Sequence, residues 1–144
     1  MKVYLDTNTV VARLVKGHVH QVNAANLLHQ IQSRRWTPVI AAHGLTEIYS
    51  VLTRTPFQPR ISPAEAWELL ELNVLPRFEI ETLSRNEHIR VLKDCAAQGW
   101  SGGRIHDALH IAAARKAQCG RIYTFDVAHF RQLAPDLVDR ILAP

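Results

Sequence analysis

The feature that most constrains the fold is the stretch 104–130, in which a helical segment, a turn, a strand and an acidic residue follow one another. Residues 105–118 are good helix formers with apolar side chains on more than one face, so we expect a buried helix. Residues 121–125 have the β-branched and aromatic content of a short strand covered on both faces, and Asp126 follows directly. Asp107 lies in the first turn of the helix, where the dipole favours an anion. Two acids therefore bracket one helix–turn–strand unit.

The same alternation of strands and helices runs through the rest of the chain. Lys2–Leu5 is strand-like, and Asp6 follows it with cap-type residues that open a helix. Serine with glutamate three residues later opens further helices at Ser62 and Ser84. The remaining expected elements are strands at 36–40, 77–80 and 137–138 and helices at 21–33 and 42–53.

This alternation predicts an α/β fold, a three-layer sandwich with a mostly parallel central sheet flanked by helices. The 144 residues are the size of one ordinary domain, so we expect a single domain over 1–144. No apolar run approaches the roughly 20 residues of a membrane helix, and the first residues turn polar too soon for a secretory signal. With only two cysteines, a reduced cytoplasmic protein with no membrane partner is expected.

Four acids are expected to meet at one edge of this sheet. Parallel sheets bind ligands beyond the carboxyl ends of their strands, where Asp6 and Asp126 lie, and the helices that carry Glu47 and Asp107 begin from the same edge. Each acid alone has a structural explanation as a helix cap, a first-turn residue or a solvated position. Glu47 is the most informative of the four, because most of its neighbours in sequence are apolar. A buried carboxylate needs a hydrogen-bonding or charged partner.

Converging carboxylates repel one another and raise one another's pKa, and a divalent cation relieves the repulsion. Oxygen-only ligands suit Mg²⁺ or Mn²⁺, which activates water and neutralises charge that develops on a phosphodiester. The net charge of +4 permits attraction to nucleic acid, although the arginines are spread along the chain. The acids therefore predict a metal-dependent nuclease.

Four segments together resemble the PIN-domain ribonucleases, especially the VapC-type toxins of bacterial toxin–antitoxin pairs. They are LDTN from Leu5 to Asn8, the mid-chain Glu47, HDALHIAAA from His106 to Ala114, and TFD from Thr124 to Asp126. The likeness spans nearly the whole chain.

The resemblance implies a metal site with Mg²⁺, or Mn²⁺ as a substitute, in which Asn8 orients the ligands and Thr124 lies close by. The ligands that it implies are Asp6, Glu47, Asp107 and Asp126. It also implies RNA cleavage, a homodimer, and inhibition by a cognate antitoxin protein. The segments 55–62 and 99–104, where this family varies most, are where we expect substrate and antitoxin choice to reside.

Three further residues are candidates for RNA contacts. Arg13 and Arg104 lie near acids in sequence and are suited to bind phosphates, and Trp100 stands beside glycines and is suited to stack on a base. The alternative interpretations are solvated arginines and a tryptophan in the core or an interface.

Two other functions compete with the nuclease interpretation. His106 and Asp107 with His110 suggest an HD-type metal phosphohydrolase, but that fold is all helical and the expected strands count against it. In the PIN interpretation, His106 and His110 are wall or RNA-contacting residues. A catalytically silent PIN scaffold that binds RNA or protein would lack an acid, and none of the four is missing.

Overall fold

A five-stranded parallel sheet forms the centre of the computed structural model, which describes residues 1–144. The strands are β1 (Lys2–Leu5), β2 (Thr37–Ala41), β3 (Glu79–Glu81), β4 (Arg121–Tyr123) and β5 (Ile141–Leu142). The helices are α1 (Thr7–Leu14), α2 (Gln21–Ser33), α3 (Ala42–Arg54), α4 (Pro63–Asn73), α5 (Arg85–Gln98), α6 (Arg104–Lys116) and α7 (Val127–Leu133), and Pro135–Arg140 forms a 3₁₀ helix. The predicted α/β class and parallel sheet are confirmed.

The order of the strands across the sheet is β3-β2-β1-β4-β5, which places β1 in the middle. The chain runs outwards from β1 through β2 to β3, and then crosses to β4 and β5 on the other side. The loops that follow β1 and β4 therefore lead away in opposite directions and leave a crevice between the two strand ends. Leu5 and Tyr123 are partners in this pairing, so Asp6 begins at the crevice.

Apolar layers cover both faces of the sheet, as the alternation of side chains along a strand requires. Val3 and Leu5 of β1 belong to a layer that includes residues of α1 to α4, whereas Tyr4 points into a layer under α6 and α7. The flanking helices are thus amphipathic and share two separate cores. None of them has both the length and the apolar character that crossing a membrane would require.

Local capping starts the helices at the expected places. Asp6 is the N-cap of α1, and both α4 and α5 open with a complete capping box, at Ser62 with Glu65 and at Ser84 with Glu87. In each box the serine hydroxyl accepts from the third helical N–H while the glutamate accepts from the serine N–H, so two otherwise unpaired donors are satisfied.

The boundaries around Asp126 differ from the prediction. Strand β4 ends at Tyr123, so Thr124 and Phe125 separate it from Asp126 rather than extending the strand. The cause is local, because the Thr124 hydroxyl accepts from the Asp126 N–H at 3.0 Å and turns the backbone out of the ladder. The strands expected at 36–40 and 77–80 are β2 and β3 shifted by one or two residues.

The strand expected at 137–138 is wrong. That segment is part of the 3₁₀ helix, which Pro135 begins, and the edge strand β5 follows it at Ile141–Leu142. Burial explains the difference, because Val138 is 39% exposed whereas Ile141 is fully buried. The short helix α7 before it was not expected either.

Replacement of Ser84 by alanine should remove the hydroxyl that caps α5. Because the Glu87 N–H would lose its acceptor at 3.2 Å, we expect Ser84→Ala to lower the free energy of unfolding by about 1 kcal/mol. Urea denaturation measures this loss. Lys93→Ala, at an exposed position of the same helix, should change the value by less than about 0.5 kcal/mol. Equal losses in the two variants would contradict the capping role.

Candidate metal centre

Asp6 lies at the carboxyl end of β1 and is 4% exposed. Its Oδ1 accepts a hydrogen bond from the Thr9 N–H at 2.9 Å, which caps α1, and its Oδ2 accepts from the Thr124 hydroxyl at 2.6 Å. A carboxylate oxygen has two acceptor sites, so each oxygen of Asp6 retains one for a further partner. Helix capping and metal binding are therefore compatible in this side chain.

The buried hydroxyl of Thr124 links the ends of β1 and β4. It donates to Asp6 Oδ2 and accepts from the Asp126 N–H, so a short chain of hydrogen bonds holds Asp126 near Asp6. The Asp126 side chain is 45% exposed, and its Oδ2 lies 2.7 Å from Nδ1 of His129, one turn further along α7. Thr124 thus orients one acid through its side chain and the other through its backbone.

Asp107 lies half-buried in the first turn of α6 and has an unusual pKa. Burial raises the pKa of this carboxyl from 3.8 to about 6; the charge of His110 opposes the change, and the negative charges of the other three acids add to it. The other three predicted acids therefore lie near enough to Asp107 to influence its pKa.

The fourth acid, Glu47, is turned towards two histidines. Its Oε1 lies 3.0 Å from Nε2 of His110 and 3.1 Å from Nε2 of His43, which is four residues earlier on α3. Burial alone would raise the pKa of Glu47, but the two histidines outweigh it and hold the pKa well below its usual value. Glu47 Oε1 and His43 Nε2 are nevertheless buried without a well-aligned hydrogen bond, so the contacts are electrostatic rather than directional.

His110 is 2% exposed, which favours the wall interpretation over a contact with RNA. Its Nδ1 lies 2.6 Å from the hydroxyl of Tyr4, which accepts from the Ala41 N–H at 3.1 Å, and its Nε2 lies 3.2 Å from the Thr7 hydroxyl. His110 is therefore an internal wall of the site. His106, in contrast, is exposed.

Sequence reasoning missed His43 and Tyr4. The available signal was spacing: His43 and Glu47 are four residues apart on α3, and Asp107 and His110 are three apart on α6, so each pair shares a helix face. The contacts between the two helices have no such signal.

The four acids do not form a compact ligand set by themselves. The one group of three His, Cys, Asp or Glu residues whose ligand atoms all lie within 4.8 Å of one another is His43, Glu47 and His110. The acids nevertheless fit a hard divalent cation, since their donors are all oxygen and a cation would relieve the repulsion at Asp107. The buried Glu47 Oε1 also has no well-aligned hydrogen-bond donor, and a cation could take the place of that donor.

The other predicted site residues, apart from Thr124, make no hydrogen bond to the four acids. Asn8 is exposed on the first turn of α1, and Arg13 is exposed beside an apolar cavity of about 580 Å³. Arg104 donates to Gln132 Oε1 at 2.6 Å. Trp100 is half-buried and packs against the apolar layer under α6, which favours the core interpretation of this tryptophan.

Asp107→Asn tests the charge at the centre of the site. Because folding raises the pKa of Asp107, the native state binds a proton that the unfolded state releases, so this group lowers stability as the pH rises from about 4 to about 6. In EDTA, the variant should therefore melt above the wild type at about pH 7.5 and should lose this advantage at about pH 4. Thermal melts at both pH values measure the difference.

The exposed Asp139→Asn is the matched control and should show no such pH dependence. An Asp107→Asn variant that melts well below the wild type at neutral pH would make Asp107 a structural first-turn residue instead.

Comparison with known proteins identifies the family. A model of the PIN domain family matches residues 3–134 of the chain. Ribonuclease VapC27 of Mycobacterium tuberculosis is 30% identical over 111 residues, which span 76% of this chain and 74% of that protein.

Solved structures share the fold at lower sequence identity. VapC20 of Mycobacterium tuberculosis, described as a Sarcin-Ricin loop cleaving toxin, has a TM-score of 0.67 and 17% identity over 86% of this chain and 89% of its own. VapBC2 from Rickettsia felis, bound to a DNA fragment from their promoter, includes a chain with a TM-score of 0.70 and 18% identity over 100% and 98% of the two chains. With a family model that covers most of its length and a parallel sheet that matches these structures, this chain belongs to the PIN-domain family.

Proposed function

We propose that the protein is a Mg²⁺-dependent endoribonuclease and the toxin of a type II toxin–antitoxin pair. The observation that supports the proposal is the raised pKa of Asp107, to which burial contributes most and to which the charges of Asp126, Asp6 and Glu47 add. The name of the similar Ribonuclease VapC27 supports RNA as the substrate. The net charge of +4 is compatible with a polyanion.

Asp6, Asp107, Asp126 and Glu47 would hold the cation, with Mg²⁺ favoured by the oxygen ligands and Mn²⁺ as a substitute. When bound, the ion supplies an activated water and neutralises the charge that develops on the phosphodiester.

The chain's own residues position the ligands. The Thr9 N–H and the Thr124 hydroxyl each donate to one oxygen of Asp6, which holds this ligand in one orientation. Asp107 would bind the cation through a carboxyl whose raised pKa a nearby positive charge would lower. Asn8 and Thr124 act as supporting residues, and Arg13 and Arg104 as RNA contacts outside the acids.

The proposed partners are a cognate antitoxin and a second copy of the chain, in the cytoplasm. Large apolar side chains remain exposed on α3 and α4, namely Tyr49, Trp67 and Leu72, with exposed fractions of 39%, 52% and 57%. Exposed apolar groups of this size are typical of surfaces that bind other proteins. The VapBC2 structure, which contains a chain of this fold, supports the antitoxin as a partner.

One observation favours a second candidate, a PIN scaffold that binds RNA or protein without cutting it. The tightest group of potential ligands contains two histidines and Glu47 rather than the four acids. Such a scaffold would bind RNA equally well with and without Mg²⁺ and would generate no new RNA ends.

Asp6→Asn and Asp107→Asn should each lower RNA cleavage at least about 100-fold, because each substitution removes a ligand charge at nearly constant volume. The measurement is incubation of purified protein with total cellular RNA, with and without Mg²⁺, followed by mapping of new ends. Asp139→Asn should cleave as the wild type does. Full cleavage by either site variant would refute the acidic-site proposal, and no cleavage by the wild type would favour the binding scaffold.

Expression of the wild-type chain alone should arrest bacterial growth, since uncontrolled RNA cleavage removes templates for translation. Asp6→Asn, expressed to the same level, should leave growth normal. Growth curves and immunoblots of matched cultures measure both. Normal growth with abundant wild-type protein, no inhibitor co-purifying and no RNA cut would contradict the toxin assignment.

A further inference from the structure

We propose that His43, Glu47 and His110 form a second metal site, which binds a transition-metal ion such as Zn²⁺ or Co²⁺ in preference to Mg²⁺. The site shares Glu47 with the proposed Mg²⁺ centre but takes its other ligands from histidine. Its existence does not depend on RNA cleavage.

The spacing of the ligand atoms matches a metal coordination sphere. Glu47 Oε1 lies 3.0 Å from His110 Nε2 and 3.1 Å from His43 Nε2, and all three atoms lie within 4.8 Å of one another. Ligands at about 2.0–2.2 Å from one ion, at tetrahedral or octahedral angles, stand roughly 3.0–3.5 Å apart. The two distances to Glu47 Oε1 fall at the start of this range, and the ligand atoms of the two histidines lie within 4.8 Å of each other.

Hydrogen bonding within the chain does not account for these atoms. His43 Nε2 and Glu47 Oε1 are both buried, and neither has a well-aligned partner although they face each other. Buried polar atoms are almost always paired, and an unpaired set that points to one place indicates a missing ion or water. One ion with nitrogen and oxygen ligands would satisfy both atoms at once.

The surroundings of His110 resemble the support of a metal-binding histidine. The Tyr4 hydroxyl lies 2.6 Å from Nδ1, so Nε2 is the ring atom that faces Glu47, with the Thr7 hydroxyl also 3.2 Å from it. Partners on the far nitrogen orient histidine ligands and tune their affinity. The Ala41 N–H holds the hydroxyl in turn, and Ala41 caps α3, the helix that carries His43 and Glu47. The three ligands are thus positioned by one connected network.

Access and ligand chemistry together define the ion. The side chains of His43 and Glu47 are 19% and 28% exposed, so an ion can enter from solvent, whereas His110 forms the closed back of the site. Two imidazole nitrogens and one carboxylate suit Zn²⁺, Co²⁺ or Ni²⁺, while Mg²⁺ prefers oxygen ligands alone. The residues therefore separate into a histidine-containing set for a softer ion and an aspartate set for a harder one.

Calorimetric titration of the full chain, free of any histidine tag and stripped with EDTA, tests the site with Zn²⁺, Co²⁺ and Mg²⁺ as probes. We expect one Zn²⁺ or Co²⁺ per chain, with visible absorption bands for Co²⁺ that report nitrogen ligands. His43→Gln should weaken Zn²⁺ and Co²⁺ binding at least 10-fold. His106→Gln, an exposed histidine outside the set, is the matched control and should bind as the wild type does. Asp107→Asn leaves all three ligands in place and should retain Zn²⁺ and Co²⁺ binding.

A second variant protects the test against a folding defect in His43→Gln. Tyr4→Phe removes only the hydroxyl that supports His110 and should weaken Co²⁺ binding about 10-fold or more. Absence of stoichiometric Zn²⁺ or Co²⁺ binding by the wild type, or equal binding by wild type and a folded His43→Gln, would overturn the site. Mg²⁺-dependent RNA cleavage that persists in that case would leave the proposed function standing, whereas Co²⁺ binding without RNA cleavage would refute only the nuclease.

Discussion

The candidate site depends on the parallel pairing of β1 with β4. The two strands are more than 110 residues apart in sequence, and their register places Leu5 beside Tyr123, just before the acids that follow each strand. The Asp6 N–H extends the pairing to the Tyr123 carbonyl at 3.2 Å. Because the chain leaves these two neighbouring strands in opposite directions, the crevice at their ends is open, and acids from α3 and α6 can reach it.

The fold accepts an electrostatic cost at this crevice. Half-buried Asp107 carries a raised pKa because burial and three nearby acids disfavour its charge. The other acids are stabilised separately, by helix capping and the Thr124 hydroxyl for Asp6, and by two histidines for Glu47. Sites of this kind lower stability relative to what the fold could reach, which is expected where function needs clustered charge.

Two helices carry the candidate ligands in pairs that are one turn apart. Asp107 and His110 are one turn apart on α6, and His43 and Glu47 are one turn apart on α3. Tyr4 joins them from the central strand, two residues before Asp6. Glu47 therefore belongs to both proposed ligand sets, the oxygen-rich one and the nitrogen-containing one, and its side chain is turned towards the two histidines.

Much of the fold was predictable because its signals are local. The capping boxes at Ser62 and Ser84 start α4 and α5 at the expected residues, and Asp6 ends a strand and caps a helix as its cap-type neighbours indicate. The incorrect strand prediction lies where the local β-strand propensity and the burial of the side chains disagree. Val138 belongs to a β-forming pair of residues but is exposed, and the edge strand forms instead at Ile141, which is fully buried.

The sequence by itself determined the alternation of strands and helices, the helix starts, and the four acids as an oxygen-rich set of candidate ligands. These follow from periodicity, capping and residue chemistry, which act over a few neighbours. Only the tertiary structure decided the strand order, the linkage of Asp6 to Asp126 through Thr124, and the turning of Glu47 towards His43 and His110. Those outcomes depend on contacts between residues distant in the chain, since His110 lies 63 positions after Glu47 and Thr124 lies 118 after Asp6.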